Sequence, residues 1–168
     1  MNIFLLHPNA RICARLHCDK HVIKMILEHT QLMYTAVHVL APDLIPMVEE
    51  INQLTAYKKT HQNHPCAKWV RESRHNFMWI LLMTGWLISE KEYRWGGDHK
   101  CRKHLQGLFW ASRRIMFPRE ERTKWAIANP YKHMKPIESY RHYYNEDKKH
   151  ILKWTKRDIP AFIRIIET

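Results

Sequence analysis

The sequence predicts an all-α fold, a compact single-domain bundle of about five helices spanning residues 1–168. Three observations predict it. Apolar residues recur at helical rather than alternating spacing along most of the chain. Only four glycines and eight prolines occur, and the prolines fall mainly where helical patterns begin or stop. With 45% hydrophobic residues and seven tryptophans, a chain of this length can bury a sizeable core.

The first helix is predicted from about Asn9 to Leu40, introduced by Pro8-Asn9 and stopped by Ala41-Pro42. Its apolar side is read as Ile12, Leu16, Val22, Ile23, Ile26, Met33, Val37 and Leu40. A second helix runs from about Leu44 to Tyr57, with Pro46 in its first turn. A polar loop then leads to Pro65, which suits the first position of a third helix because its missing N–H would be unpaired there anyway. That helix is predicted to reach Tyr93. Gly96-Gly97-Asp98 breaks the pattern and caps a basic fourth helix through about Met116. The region to Pro136 is irregular. A last helix covers about Ile137 to Thr155, and the tail after Pro160 adds a short apolar turn.

Twenty-eight lysines and arginines against 16 acids give a net charge of +12 before any of the 13 histidines is counted. A charge of that size on a folded chain calls for a polyanionic partner. Cations interleaved with Trp, Tyr and His supply stacking faces beside phosphate contacts, so DNA, with RNA as the second choice, is the expected partner. The residues expected to meet nucleic acid are Arg11, Arg15, Lys59, His61, Asn63, His64, Lys68, Arg71, Arg141 and Lys156. Neither GxxxxGK[ST] nor GxGxxG occurs, which argues against P-loop and dinucleotide chemistry. No signal-peptide core or membrane-length apolar run is present, and the four cysteines form no CxxC pair. A monomer in the cytoplasm, with reduced thiols, no membrane association and no cofactor, is the expectation.

One stripe of the first predicted helix stands out. His17, His21, Lys24, Glu28, Gln31 and Thr35 fall within about 40° of one line on a helical wheel. Such a row can be the solvent face of an amphipathic helix. It can also be a site, in which Glu28 acts as base or electrostatic stabiliser with His21 and Lys24 beside it. Asp19 points into the apolar side and there needs a cation from another helix. Cys13, His17 and His21 share a face too, but their spacing matches neither HExxH nor a zinc-finger pattern, so no metal is expected.

The fragments HCDKHVIKMILE, YKKTHQNHPCAKWVRES and ESYRHYYNEDKKHILKWTKRDIP resemble a group of poorly characterised bacteriophage and large-DNA-virus proteins. That resemblance covers most of the chain, implies an infected host cell as the location, and supplies no chemistry. Asp19-x-His21, with Glu28 seven positions after the histidine, is also similar to the first-helix pattern of the pyrimidine-dimer DNA glycosylase/AP-lyase family of the endonuclease V type. Members of that family are small, basic, helical and metal-free. They attack the sugar C1′ with the N-terminal α-amine, and a helix carboxylate stabilises the cationic Schiff base. Transferred residue by residue, the resemblance implies Met1 as the source of the amine, Glu28 as the carboxylate and His21 as a DNA-contacting neighbour. Asn2 stands where the family carries an arginine beside the terminus, and Leu27 where it carries a cation before the glutamate.

A DNA-binding, base-acting enzyme with Glu28, His21, Lys24 and Met1 as its catalytic set is therefore the leading expectation. A non-catalytic nucleic-acid-binding viral protein is an alternative. So is a transferase that modifies pyrimidines in viral DNA.

Overall fold

Helix accounts for the regular structure of the described residues, 1–164, of the computed structural model: seven α-helices and three short 3-10 turns, with no β-strand. The all-α class therefore holds. The number of helices is seven rather than about five. Two of the predicted helices are each two helices, divided where the sequence carries neither glycine nor proline.

The first predicted helix is α1 (Ala10–Leu16) followed by α2 (Asp19–Leu40). Asn9 caps α1 by accepting a hydrogen bond from the Ile12 N–H, as Pro8-Asn9 suggests. The helix then stops because His17 and Cys18 adopt extended backbone, and His17 Nδ1 takes up the Cys13 carbonyl at 2.8 Å. That ring contact stands in for the hydrogen bond that the next helical turn would have made. Likewise the third predicted helix is α4 (Pro65–Glu72) and α5 (Arg74–Trp95). Between them Ser73 is extended and caps α5 through its hydroxyl to the Asn76 N–H, while it pairs with Arg119 in an isolated bridge.

The remaining elements are shorter than predicted. α3 (Ile45–Asn52) follows a 3-10 turn at Pro42–Leu44 and ends where Gln53 takes a left-handed conformation. After Asp98 the chain forms a 3-10 turn, Lys100–His104, and only then α6 (Leu105–Ser112). α7 (Pro136–Asp147) is followed by a last 3-10 turn, Lys149–Ile151. Pro160 to Ile163 makes the apolar turn expected there, and the part of that tail beyond Arg164 lies outside the described residues.

α2 and α5, 22 residues each, pack along one another at the centre. α1 lies on α5, α4 and α6 pack against both central helices, and α3 packs on α6. This placement overturns part of the predicted core. With α2 covered on several sides, His17, His21 and Thr35 of the polar stripe are buried, whereas Ile12 and Ile23, placed on the apolar side, are 42% and 49% exposed. No helix is long and apolar enough to cross a membrane among the described residues.

Candidate functional site

Residues 3–6, Ile-Phe-Leu-Leu, are an apolar run that is neither helix nor strand, yet all four are buried. A chain end is normally loose unless something ties it down. Here Cys13 bonds both the Leu6 N–H and the Phe4 carbonyl, Arg141 Nε donates to the Leu6 carbonyl at 3.1 Å, and the Trp79 indole donates to the Pro8 carbonyl at 2.8 Å. Asn2 completes the tie. Its side-chain oxygen accepts from the Tyr140 hydroxyl at 3.0 Å, and its amide donates to the Ala128 carbonyl at 3.3 Å.

This strap brings the first residues onto the middle of α2. The Met1 α-amine lies 3.8 Å from Glu28 Oε2, and the Asn2 N–H donates to the same oxygen at 3.1 Å. Lys24, one turn earlier on α2, places its ammonium 3.5 Å from Oε1. Two cations and one backbone donor thus converge on a carboxylate whose side chain is 14% exposed. Lys24 is mostly exposed and sits at the rim.

His64 approaches from the other side as the N-cap of α4, accepting from the Cys66 N–H through Nδ1 at 3.2 Å. Burial, then the charge of the α-amine and of His61, push its imidazole below the ordinary histidine range, while Glu28 opposes them. With Nδ1 an acceptor, the neutral ring carries its proton on Nε2 and can donate there. His64 and Pro65 line a cleft of about 430 Å³ together with Ala128, Asn129, Pro130 and Lys132. Asn2, bonded to Ala128, joins the cleft wall to the Met1–Glu28 pair. In the sequence Asn2 stands out only as a departure from the resembled family's pattern, Asn129 and Lys132 are not expected at the site, and nothing local to them could have revealed that they meet residues more than 60 positions away.

No protein-family model, curated protein or solved structure matches this chain.

His21 faces inward. Its ring stacks on Phe4 at 3.9 Å, its Nδ1 is 2.7 Å from the Tyr144 hydroxyl, and burial, aided by the charges of His17, Lys148 and Lys24, pushes it down to about 3. It is therefore neutral at neutral pH and holds Phe4, and with it the strap. His29 follows Glu28 directly. It is fully buried, makes no well-aligned hydrogen bond through either ring nitrogen, and is pushed by burial to about 3, against the neighbouring Asn2 backbone, which raises it. Among the described residues no three His, Cys, Asp or Glu side chains gather as a metal ion would require.

The residues expected to contact nucleic acid divide into three groups. Lys59, His61, Asn63 and Lys68 are exposed on the loop before α4 and on its first turns, next to His64. Arg71 is half-buried and steadies that loop by donating to the Gln62 carbonyl at 2.7 Å, while Thr35 on α2 bonds the Thr60 backbone. Arg141 holds the strap. Arg11, Arg15 and Lys156 lie elsewhere, along α1 and the end of α5: Arg11 stacks over Trp86, and Arg15 and Lys156 line one cleft.

Asp19 is not part of the site. The cation it needs is Arg94 of α5, at 2.9 Å, and the Thr155 N–H and hydroxyl donate to it as well, at 2.9 and 2.7 Å. Arg94 also binds Glu90, which in turn holds Arg157 at 2.7 and 3.0 Å.

Proposed function

We propose that this protein acts on DNA as a base-removing enzyme of the glycosylase/AP-lyase kind, with the Met1 α-amine as nucleophile and Glu28 as the carboxylate that steadies the cationic intermediate. The observation that supports this reading is the 3.8 Å approach of the α-amine to Glu28, held by a buried strap on a protein of net charge +12. A terminus held by side chains from α1, α5 and α7 is positioned more firmly than solubility or packing requires.

The chemistry follows from the groups present. α-Amines as a class are far less basic than lysine ε-amines, so a larger fraction is neutral and nucleophilic near neutral pH. Attack on C1′ forms a C–N bond as the bond from C1′ to the base breaks, and the base leaves with the bonding electrons and takes up a proton. Opening of the sugar ring leaves a protonated Schiff base on the amine. Glu28 then faces a developing positive charge at short range in a partly water-excluded place, where a fixed carboxylate is most effective. The His64 Nε2–H and Lys132, lining the adjoining cleft, are suited to the oxygen and phosphate edges of the substrate. His21 is a positioning residue that acts through Phe4.

Borohydride reduction in the presence of duplex DNA carrying a pyrimidine dimer or an abasic site tests the reading. A covalent adduct that maps to the N-terminal peptide and falls at least a hundredfold with Glu28→Gln is expected. No adduct on either DNA, or an adduct mapped to a lysine side chain, overturns it. DNA binding without any product would leave the protein as a binding module.

A further inference from the structure

The other charged surface offers different chemistry. On α5, Leu82, Trp86, Ser89 and Tyr93 recur at helical spacing along one face, and Leu82, Trp86 and Tyr93 are 55%, 39% and 50% exposed. α1 lies alongside and adds Ile12, itself 42% exposed. From Leu82 to Tyr93 the ridge is about 16 Å long at the helical rise. Burial would be the ordinary fate of such residues, and a continuous exposed aromatic and aliphatic ridge marks an interaction surface.

Charge identifies what it would meet. The Arg11 guanidinium lies 5.1 Å from the Trp86 ring centre, and that of Arg157 lies 4.0 Å from the Tyr93 ring. Two clefts flank the ridge. One, of about 370 Å³, is lined by Arg11, Arg122, Trp79, Leu82 and Trp86 among others. The second, of about 450 Å³, is lined by Ile12, Arg15, Tyr93, Lys156 and Arg157 together with Asp158. Five cations and a single acid line the two clefts. Among the described residues, Arg157 is the one of those cations committed to a carboxylate, Glu90. An acidic protein could satisfy the cations. It would leave flat aromatic faces, already topped by guanidinium planes, without a matching flat partner.

We propose that this α1–α5 ridge is a docking surface for single-stranded nucleic acid, with bases stacking at Trp86 and Tyr93 and phosphates meeting Arg11, Arg15 and Lys156. Unpaired bases present the π-faces such a surface needs, whereas a duplex keeps its bases stacked inside and offers phosphates alone. None of these residues belongs to the Met1–Glu28 site, so the surface stands apart from the catalytic reading and does not depend on it.

Fluorescence anisotropy with a labelled oligothymidylate and with a duplex of equal length, across a series of salt concentrations, provides the test. Trp86→Ala combined with Tyr93→Ala is expected to weaken single-strand binding by roughly tenfold or more, with duplex binding changed less than twofold. Trp86→Phe, which keeps a ring face, retains most of the affinity. Arg11→Ala with Arg15→Ala lowers the slope of log affinity against log salt by roughly two phosphate equivalents. Circular dichroism checks that each variant is folded. The proposal fails if the aromatic double variant binds the single strand within twofold of the parent, or if single-strand and duplex binding fall together. Trapping on damaged DNA and single-strand anisotropy with the aromatic double variant are separate assays, so failure of the catalytic reading and failure of the ridge are distinguishable.

Discussion

Two carboxylates nine positions apart on α2 meet cations in opposite ways. Asp19, in the first turn, has both carboxylate oxygens engaged by Arg94 and Thr155 in three bonds at 2.7–2.9 Å, and its network continues through Glu90 to Arg157. Glu28, at mid-helix, has one backbone donor at 3.1 Å and two cations at 3.5 and 3.8 Å, and the residue after it, His29, is buried without a well-aligned hydrogen bond. Burial alone would raise both Asp19 and Glu90. For Asp19 the Thr155 donors and Arg94, and for Glu90 the guanidinium groups of Arg157 and Arg94, more than offset it and hold each carboxyl below its usual range. The lesson is that an acid among cations marks a structural joint when its bonds are short and complete. It marks a candidate for chemistry when they are long and incomplete.

Breaking the complete network gives the largest effect. Arg94→Met leaves Asp19 without its cation and Glu90 with Arg157 alone, in a buried place, and is expected to cost about 3–5 kcal/mol in urea unfolding at neutral pH. Because the folded values of Asp19 and Glu90 are lowered, the stability they add is present above the ordinary carboxylate range and is lost as pH falls through the lowered values. The variant should therefore show a flatter stability profile there than the parent. A loss below about 1 kcal/mol would show that the network is not a joint.

Histidines extend the comparison with an intermediate effect. His17 is pushed down to about 4 and His21 and His29 to about 3, in each case chiefly by burial. Below an unfolded value of about 6.5 the unfolded chain takes up protons that the fold refuses, so stability declines from there toward pH 4. His29→Leu removes a buried polar ring that makes no well-aligned hydrogen bond. It is expected to raise stability at neutral pH by roughly 1 kcal/mol and to make the acid decline shallower. Thermal melts between pH 7 and 4 measure both, and a variant destabilised by more than about 2 kcal/mol would mean that the ring has a function in the fold.

The smallest effect on stability is expected at Glu28. Glu28→Gln keeps an oxygen for the Asn2 N–H and gives up two long ion contacts, so its stability should stay within about 1 kcal/mol of the parent. Paired with loss of trapping, that result would separate the two carboxylates cleanly. A loss comparable to Arg94→Met would make Glu28 a second joint.

Much of the fold was legible because its signals are local. Pro65 and Asn9 marked helix starts, Gly96-Gly97 marked an end, and Asp19 announced its need for an arginine. The breaks at His17–Cys18 and Ser73 were not legible, since they depend on a ring reaching the Cys13 carbonyl and on a partner at Arg119. A helical wheel drawn through the first break carried His17 onto a face it does not share. It also left open whether the polar side of α2 faces solvent, and other helices cover part of that side. Glu28 stood out as an acid in a cationic row. Its nearness to Met1 rests on Tyr140 and Ala128, more than 120 residues further on, and no periodicity encodes such a meeting.

The strap has a bearing on how the molecule is assembled. Residues 2–6 are made long before the residues that hold them, Ala128, Tyr140 and Arg141. During synthesis an apolar segment has only its partners on α1, α2 and α5 until α7 is made. Closing a contact of that sequence separation is entropically expensive and slow. The groups that converge on Glu28 would come together only in the last stage of folding, so the arrangement at Glu28 would itself report that α7 has docked.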